Sequence, residues 1–300
     1  MIGLLGLAAA AAVQPQTVLT IDPSHRLVEG VASDGRTIWV SSVLDREILA
    51  CRTTCRTLAT LPAGLHPFAI AWDRGRRRLW VAADCPPGVK GIVPCDRGAL
   101  IGLDSSGRIQ TRIAPFSGSF HPGDVSASPA GVVVSDSQDG AIYRLAKSGY
   151  ALSTLVAPFS GGSAQGTAID ASGDKLLFAD YGQGVGVVDL ASGVRKILPR
   201  PGGTPLEGVD GMVRCGSTYF GIYNGRTPGA LLAITPGETG LTYEKPLATT
   251  LPDPTQVAYD GKRLLIVADS GWATLDKPGF VRTAGAPILA VPLSPDCTPL

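Results

Sequence analysis

Two carboxylates stand in matching short motifs, Glu29 in Val-Glu-Gly-Val and Asp210 in Val-Asp-Gly-Met. A side-chain amide, Gln165, stands in the related motif Gln-Gly-Thr-Ala. Carboxylate and amide oxygens are the ligands that Ca²⁺ prefers, whereas zinc favours clusters of histidine and cysteine, which these motifs lack. The three residues therefore predict a metal site with Ca²⁺ as its cofactor. The alternative is that they line a water-filled channel and bind no particular ligand.

Further residues near these motifs could move protons. Asp124 directly follows Gly123, and His66 and His121 each begin a His-Pro pair that leads into a motif of the same kind. Histidine titrates near neutral pH, and a carboxylate of suitable pKa can accept a proton from water. We therefore predict Asp210, Asp124 and His121 as candidate catalytic residues. The alternative for the His-Pro pairs is a loop geometry that leads into a strand.

The motifs belong to a segment that recurs six times at intervals of 39 to 55 residues. Each copy has a short apolar strand, a tight turn rich in Asp, Gly or Ser, and a second, strongly apolar strand. Repeats of this length and content are typical of β-propeller blades, whose equivalent positions converge on a central funnel. We call the equivalent positions the ring positions; they are Glu29, Phe68, Gly123, Gln165, Asp210 and Thr255.

The pattern predicts an all-β fold, a six-bladed β-propeller with four strands in each blade. The sixth copy runs out of chain after the strand at 287–293, so it lacks a fourth strand. Residues 17–22 supply a strand directly before the first ring position, and we expect this strand to complete the last blade. Such a closure removes two exposed sheet edges. One domain would then span residues 17–300.

Three motifs carry a resemblance to a known family. Glu29-Gly, Asp210-Gly-Met and the segment Phe220-Gly-Ile-Tyr-Asn-Gly are similar to those of the senescence marker protein/gluconolactonase (regucalcin-like) family of six-bladed propellers. Members of that family hold one divalent cation, usually Ca²⁺, and hydrolyse lactones and related esters. The resemblance covers the repeats of the whole mature chain and is sharp only at these motifs.

The resemblance assigns roles to particular residues. Glu29 would be the glutamate ligand, and Asp210 the aspartate ligand and a candidate base. Two asparagine ligands of the family fall on Gln165, which keeps the amide oxygen, and on Gly123, beside Asp124. The implied mechanism is metal-assisted hydrolysis, in which Asp210 or Asp124 takes a proton from the attacking water.

A non-catalytic propeller of the NHL type, binding a protein or a carbohydrate through its rim, is the alternative function. Phe68 and Gly123 at ring positions favour it, as do Gln165 in place of an asparagine and the proline-rich rim loops. The Ala-Asp and Ser-Asp pairs that end three strands, at Asp136, Asp180 and Asp269, resemble NHL repeats and are expected to be structural. In NHL repeats this aspartate organises a hairpin. The paired acids Glu29 and Asp210 favour the enzyme.

Composition and the first residues bear on partners and location. The net charge of +1 gives no reason to expect a nucleic-acid partner. Residues 1–13 form an apolar, alanine-rich run that is too short to cross a bilayer, and we predict a signal peptide over residues 1–16. The mature protein would be periplasmic or secreted, with no membrane span, and would act on a small lactone or ester.

The six cysteines support an oxidising compartment. Cys51 and Cys55 flank a predicted hairpin, Cys85 and Cys95 flank a loop rich in proline and glycine, and Cys215 and Cys297 remain. Zinc is the alternative, but no histidine lies close to either local pair. We therefore predict three disulfides in this pairing.

Overall fold

The computed structural model describes residues 14–275 and 284–300, apart from the side chain of Tyr243. These residues form six four-stranded antiparallel sheets, which confirms the predicted all-β six-bladed propeller. Blade 1 holds β2 (Val28–Ser33), β3 (Ile38–Ser42), β4 (Glu47–Cys51) and β5 (Cys55–Thr60). Blade 2 holds β6 (His66–Asp73), β7 (Arg78–Asp84), β8 (Ala99–Leu103) and β9 (Ile109–Ile113). Blade 3 holds β10 (Pro122–Ser128), β11 (Gly131–Asp136), β12 (Ile142–Ala146) and β13 (Leu152–Val156).

The remaining blades continue in chain order. Blade 4 holds β14 (Ala164–Ile169), β15 (Lys175–Asp180), β16 (Gly184–Asp189) and β17 (Arg195–Ile197). Blade 5 holds β18 (Val209–Cys215), β19 (Thr218–Tyr223), β20 (Gly229–Pro236) and β21 (Leu241–Leu251). Blade 6 holds β22 (Val257–Tyr259), β23 (Arg263–Val267), β24 (Ala286–Pro292) and, from the other end of the chain, β1 (Gln16–Ile21). A short helix, α1 (Trp272–Leu275), follows β23.

The N-terminal strand closes the ring as predicted. β1 pairs antiparallel with β24, from Gln16 opposite Ala290 to Ile21 opposite Ala286. Residues 1–13, where most of the predicted signal peptide falls, lie outside the described residues, so the signal peptide stays a prediction. Within the described ranges, no helix is long and apolar enough to cross a membrane.

The core consists of layers between neighbouring blades. The second strand of each blade is apolar at successive positions because both of its faces pack against other sheets. Trp80 of β7, Phe178 of β15 and Phe220 of β19 are each at most 2 % exposed. These layers hold the first strands, which we call the inner strands, around a common axis, where consecutive inner strands contact one another in order and the sixth contacts the first.

A bulge opens each inner strand at its ring position. In blade 1 the pairing runs from Val28 opposite Ser42 to Val31 opposite Val40, so two residues lie opposite one. Blades 2 to 5 have the same extra residue at the ring position. In blade 6 the bulge is shown by two hydrogen bonds, from Thr255 N to Val267 O and from Val267 N to Gln256 O. A bulge re-aims side chains that simple alternation would send to opposite faces.

In blades 1, 4 and 5 the residue after the ring position is a glycine whose added Cβ would point at the next inner strand. A Cβ on Gly30 would lie 2.5 Å from Phe68 O, and one on Gly166 would collide with Asp210 O and lie 2.7 Å from Met212 N. Both partners are backbone atoms, which cannot move aside cheaply. Glycine at these positions therefore lets adjacent inner strands approach closely.

We expect Gly166→Ala to destabilise the propeller by about 2–4 kcal/mol, because the added methyl overlaps the backbone of blade 5. Gly182→Ala is the matched control, since a Cβ there meets nothing within 4 Å and the backbone is not left-handed. Thermal unfolding of both variants measures the difference. Equal melting temperatures would contradict the close packing of blades 4 and 5.

The described cysteines form the three predicted disulfides, Cys51–Cys55, Cys85–Cys95 and Cys215–Cys297. The last of these joins blade 5 to the segment after β24. The aspartates at strand ends organise hairpins: Asp136 accepts bonds from the backbone N–H groups of His121, Gln138 and Asp139, and Asp180 does the same for three N–H groups of blade 4. This arrangement fixes the rim loops around the funnel.

Candidate functional site

Five of the six ring positions line one cavity of about 210 Å³ at the mouth of the funnel. We call it the mouth cavity. Its walls are Glu29, Phe68, Gly123, Gln165 and Asp210 from the inner strands and Ser137, Tyr181 and Trp272 from the rim. The three residues predicted as metal ligands therefore share one space. The sixth ring position, Thr255, instead donates its hydroxyl to Glu29 O at 2.9 Å.

Asp210 is held by an asparagine from the next strand of its own blade. Asn224 Nδ2 donates to Asp210 Oδ2 at 2.8 Å and to Pro254 O at 3.0 Å. Both bonds come from the same nitrogen, which fixes the orientation of the amide. Asn224 Oδ1 is then buried and has no hydrogen-bond partner among the described residues. A buried acceptor of this kind costs free energy unless a ligand satisfies it.

The environment of Asp210 favours its neutral form. Burial in the funnel raises the pKa of Asp210 to about 7, and the negative charge of Asp253 adds to the rise, while the bond from Asn224 works in the opposite direction. A carboxyl with a pKa near the ambient pH can exchange a proton with water in either direction.

Glu29 also lines the mouth cavity, and its carboxylate accepts a bond from the rim helix α1. Trp272 Nε1 donates to Glu29 Oε2 at 2.5 Å, and the Trp272 ring stacks on Phe68 with centroids 6.3 Å apart. Burial and the charge of Asp210 raise the pKa of Glu29 well above its usual range, against the effect of the Trp272 bond. Glu29 and Asp210 thus repel each other across the cavity.

Gln165 and Gly123 are matched to each other. A Cβ at Gly123 would lie 3.2 Å from Gln165 Oε1 and 2.8 Å from Ser137 Cβ. The amide oxygen of Gln165 therefore occupies the space that a side chain at 123 would need, while Gln165 Nε2 bonds Ser163 Oγ at 3.2 Å. Glutamine is one methylene longer than asparagine, so Gln165 can place its amide oxygen in the space beside Gly123.

Asp124 lies below the mouth cavity and lines a second chamber of about 230 Å³ on the axis. It is 3 % exposed. Its carboxylate accepts bonds from Val125 N at 2.8 Å, Thr167 N at 3.1 Å and Gln256 Nε2 at 2.9 Å. Burial, with a contribution from the charge of Asp210, raises its pKa to about 7, while the N–H donors work in the opposite direction.

The two histidines of the His-Pro pairs do not line the mouth cavity. His121 is buried, with Nδ1 3.2 Å from Asp84 Oδ1, and its backbone carbonyl accepts a bond from Ser137 N. His66 is also buried and places Nδ1 2.8 Å from Val43 O. Both residues therefore contact the loops that surround the mouth, at the boundaries between blades.

Three residues at the funnel escaped the sequence analysis: Asn224, Trp272 and Gln256. Asn224 belongs to the segment Phe220-Gly-Ile-Tyr-Asn-Gly that carries the family resemblance, but its contact with Asp210 was not predicted. Trp272 lies in an insertion without a counterpart in the other repeats. Gln256 follows a ring position, where strand alternation points a side chain away from the axis.

The charge of the funnel is strongly one-sided. Glu29, Asp124 and Asp210 interact electrostatically with one another, and none of the ion pairs among the described residues joins a lysine or arginine to any of them. Uncompensated buried carboxylates are costly, and a bound cation removes that cost. The donor set, with its unpartnered Asn224 oxygen nearby, consists of the hard oxygens that suit Ca²⁺.

Comparisons with known proteins agree on the architecture. No protein-family model and no curated protein matches the sequence. Among solved structures, a gluconolactonase from Xanthomonas campestris is similar over 95 % of this chain and 99 % of its own, with 15 % identity and a TM-score of 0.61. A PQQ-bound aldose sugar dehydrogenase from Streptomyces coelicolor is similar over 94 % and 99 %, with 16 % identity and a TM-score of 0.63.

A luciferin-regenerating enzyme is similar over 93 % of this chain and 95 % of its own, with 12 % identity and a TM-score of 0.64. At these identities the similarity establishes the propeller fold. The choice of function depends on the residues of the mouth cavity.

Proposed function

We propose that this protein is a divalent-cation-dependent hydrolase that opens lactones or related small esters, with Ca²⁺ as the cation. The observation that carries the proposal is the convergence of Glu29, Asp210 and Gln165 on one cavity, above a third carboxylate and with no basic residue among the described lining. The gluconolactonase similarity in fold supports the same class of substrate.

The oxygens of Glu29, Asp210 and Gln165 would hold the cation. When bound, Ca²⁺ supplies a Lewis acid that polarises a carbonyl oxygen. Among the two predicted bases, Asp210 is the better placed, because its carboxylate faces the mouth cavity and accepts one side-chain bond, from Asn224. Asp124 lies below the cavity with three N–H donors already on its oxygens.

The aromatic wall of the mouth cavity would position the substrate. Phe68 and Trp272 stack on one side, and Tyr181 lies among the other lining residues. A flat ring placed against this wall would present its carbonyl to the carboxylate side. With about 210 Å³ available, the cavity fits a single small ring such as a sugar lactone.

A quinone cofactor of the PQQ type is not part of this proposal. The sugar dehydrogenase is 16 % identical to this chain, and a similarity at that level concerns the fold.

A binding propeller remains the second candidate because apolar side chains stand exposed on the mouth side. Phe116 is fully exposed in the loop before blade 3, and Val93, in the Cys85–Cys95 loop, is 79 % exposed. Such residues could contact a protein or carbohydrate partner. The disulfides support export to the periplasm or secretion for either function.

Calcium calorimetry on the mature, metal-stripped protein tests the proposal, followed by a screen of sugar, aliphatic and aromatic lactones with and without EDTA. We expect micromolar binding and calcium-dependent ring opening. Absence of binding at millimolar calcium would contradict the proposal and favour the binding propeller.

A further inference from the structure

Two side chains meet across the axis of the propeller. Asp124 belongs to the inner strand of blade 3, and Gln256 precedes that of blade 6. Since the six inner strands contact one another in ring order, blades 3 and 6 are diametrically opposite. Gln256 Nε2 donates to Asp124 Oδ1 at 2.9 Å, and both residues are at most 7 % exposed. This bond spans the whole channel.

The neighbouring blades leave room for the bond. Asp124 and Gln256 both occupy the position after the ring position, where blades 1, 4 and 5 have Gly30, Gly166 and Gly211 and blade 2 has Ala69. A Cβ on Gly211 would lie 2.5 Å from Gln256 Cδ. The glutamine can therefore cross the axis only because blade 5 carries a glycine at this point.

The donors around Asp124 favour its ionised form. Its oxygens accept bonds from N–H groups of Val125, Thr167 and Gln256, and a hydrogen bond to a carboxylate is stronger than one to a neutral carboxyl. Gln256 itself is fixed, because its Oε1 accepts a bond from Val257 N at 2.9 Å and so leaves Nε2 to face Asp124.

We infer that Asp124 and Gln256 form a brace across the axis beneath the mouth cavity, in which Gln256 is a positioning residue that fixes the Asp124 carboxylate and favours its ionised form. The functional part of this inference rests on the proposed cation site. The charge of Asp124 lies within electrostatic range of Glu29 and Asp210 and strengthens cation binding without ligation.

The brace lies on the lower-chamber side of the mouth cavity. Asp124 and Gln256 both line the lower chamber, and neither is among the residues that line the mouth cavity. When ionised, Asp124 is therefore a source of negative charge beneath the mouth cavity.

A double-mutant cycle tests the brace in metal-free protein. Gln256→Met keeps the length of the side chain but removes the donor, and Asp124→Leu replaces the carboxylate with an apolar group of similar size. We expect Gln256→Met alone to lower the melting temperature by about 3–6 °C, because it deprives a buried carboxylate of a hydrogen bond. In the Asp124→Leu background the same change should cost less, because only the bond from Val257 N to Gln256 Oε1 is then lost.

Gln138→Met, at an exposed loop position, is the matched control. Equal costs of Gln256→Met in both backgrounds would overturn the brace, whatever the protein binds.

Calcium calorimetry then separates a positioning role from a structural one, because Gln256→Met should weaken binding at least about fivefold. Unchanged affinity would overturn the positioning role, whereas no binding by the wild type would overturn the proposed function and leave the cycle to decide on the brace.

Discussion

Asp210→Asn is expected to abolish calcium binding and to lower kcat/KM for an opened lactone by at least about 100-fold. The substitution keeps the size of the side chain but removes the charge that would hold the cation and the base that would accept a proton. In the wild type Asn224 Nδ2 donates to the Asp210 carboxylate, and in the variant it would face an amide instead. Calorimetry and a lactonase assay at saturating calcium measure the two losses.

Glu29→Gln should reduce calcium affinity in the same assay, because it removes the second carboxylate of the mouth cavity. Asp174→Asn is the matched control: this aspartate is exposed in the turn between β14 and β15, on the opposite face of the propeller. If Asp210→Asn bound calcium as tightly as the wild type, the cation would lie elsewhere and the proposed site would be wrong.

The second large effect is on the pH dependence of stability. Asp124 and Asp210 have pKa values of about 7 in the folded protein, against 3.8 as the reference value for an aspartate. Where the folded state binds more protons than the unfolded state, the free energy of unfolding falls as pH rises. Metal-free protein should therefore lose stability between about pH 4 and pH 7, by a few kcal/mol in all.

Calcium should reverse this trend. A cation competes with protons for the same carboxylates, so its affinity and the stabilisation it confers should increase through pH 7 and reach a plateau above it. Melting curves at pH 5, 6, 7 and 8, with EDTA or with calcium, measure both effects. Asp210→Asn isolates its own contribution, since the pH slope of the metal-free variant should be shallower than that of the wild type. Identical slopes would mean that Asp210 is not protonated on folding.

The repeats made the architecture readable from the sequence. Six copies of one strand pattern specify six blades, and the missing last strand of the sixth copy identifies β1 as its replacement, because an unpaired edge would otherwise remain. The same alignment placed Glu29, Gln165 and Asp210 at equivalent positions, which the structure brings to one cavity. Repetition therefore carried the prediction of both the fold and the ring.

The features that could not be predicted from the sequence depend on the bulges of the inner strands and on the insertion that carries Trp272. In a regular strand, consecutive residues point to opposite faces, so Gln256 would be assigned away from the axis if Thr255 faces it. The bulge breaks that alternation, and no residue type in the sequence indicates that a bulge occurs there. Trp272 reaches Glu29 from a rim segment 243 positions away in sequence, and only the folded ring shows this contact.

The pairing of β1 with β24 also sets the order in which the molecule can be assembled. The first strand to be synthesised has its partner at the far end of the chain, so five blades can form from local hairpins while the sixth waits for the last residues. The beginning of β1 and the end of β24 therefore lie side by side at the outer part of blade 6, away from the mouth. A tag or tether added at Gln14 would therefore leave the funnel open, whereas removal of residues 14–21 would leave β24 as a bare edge for another chain to pair with.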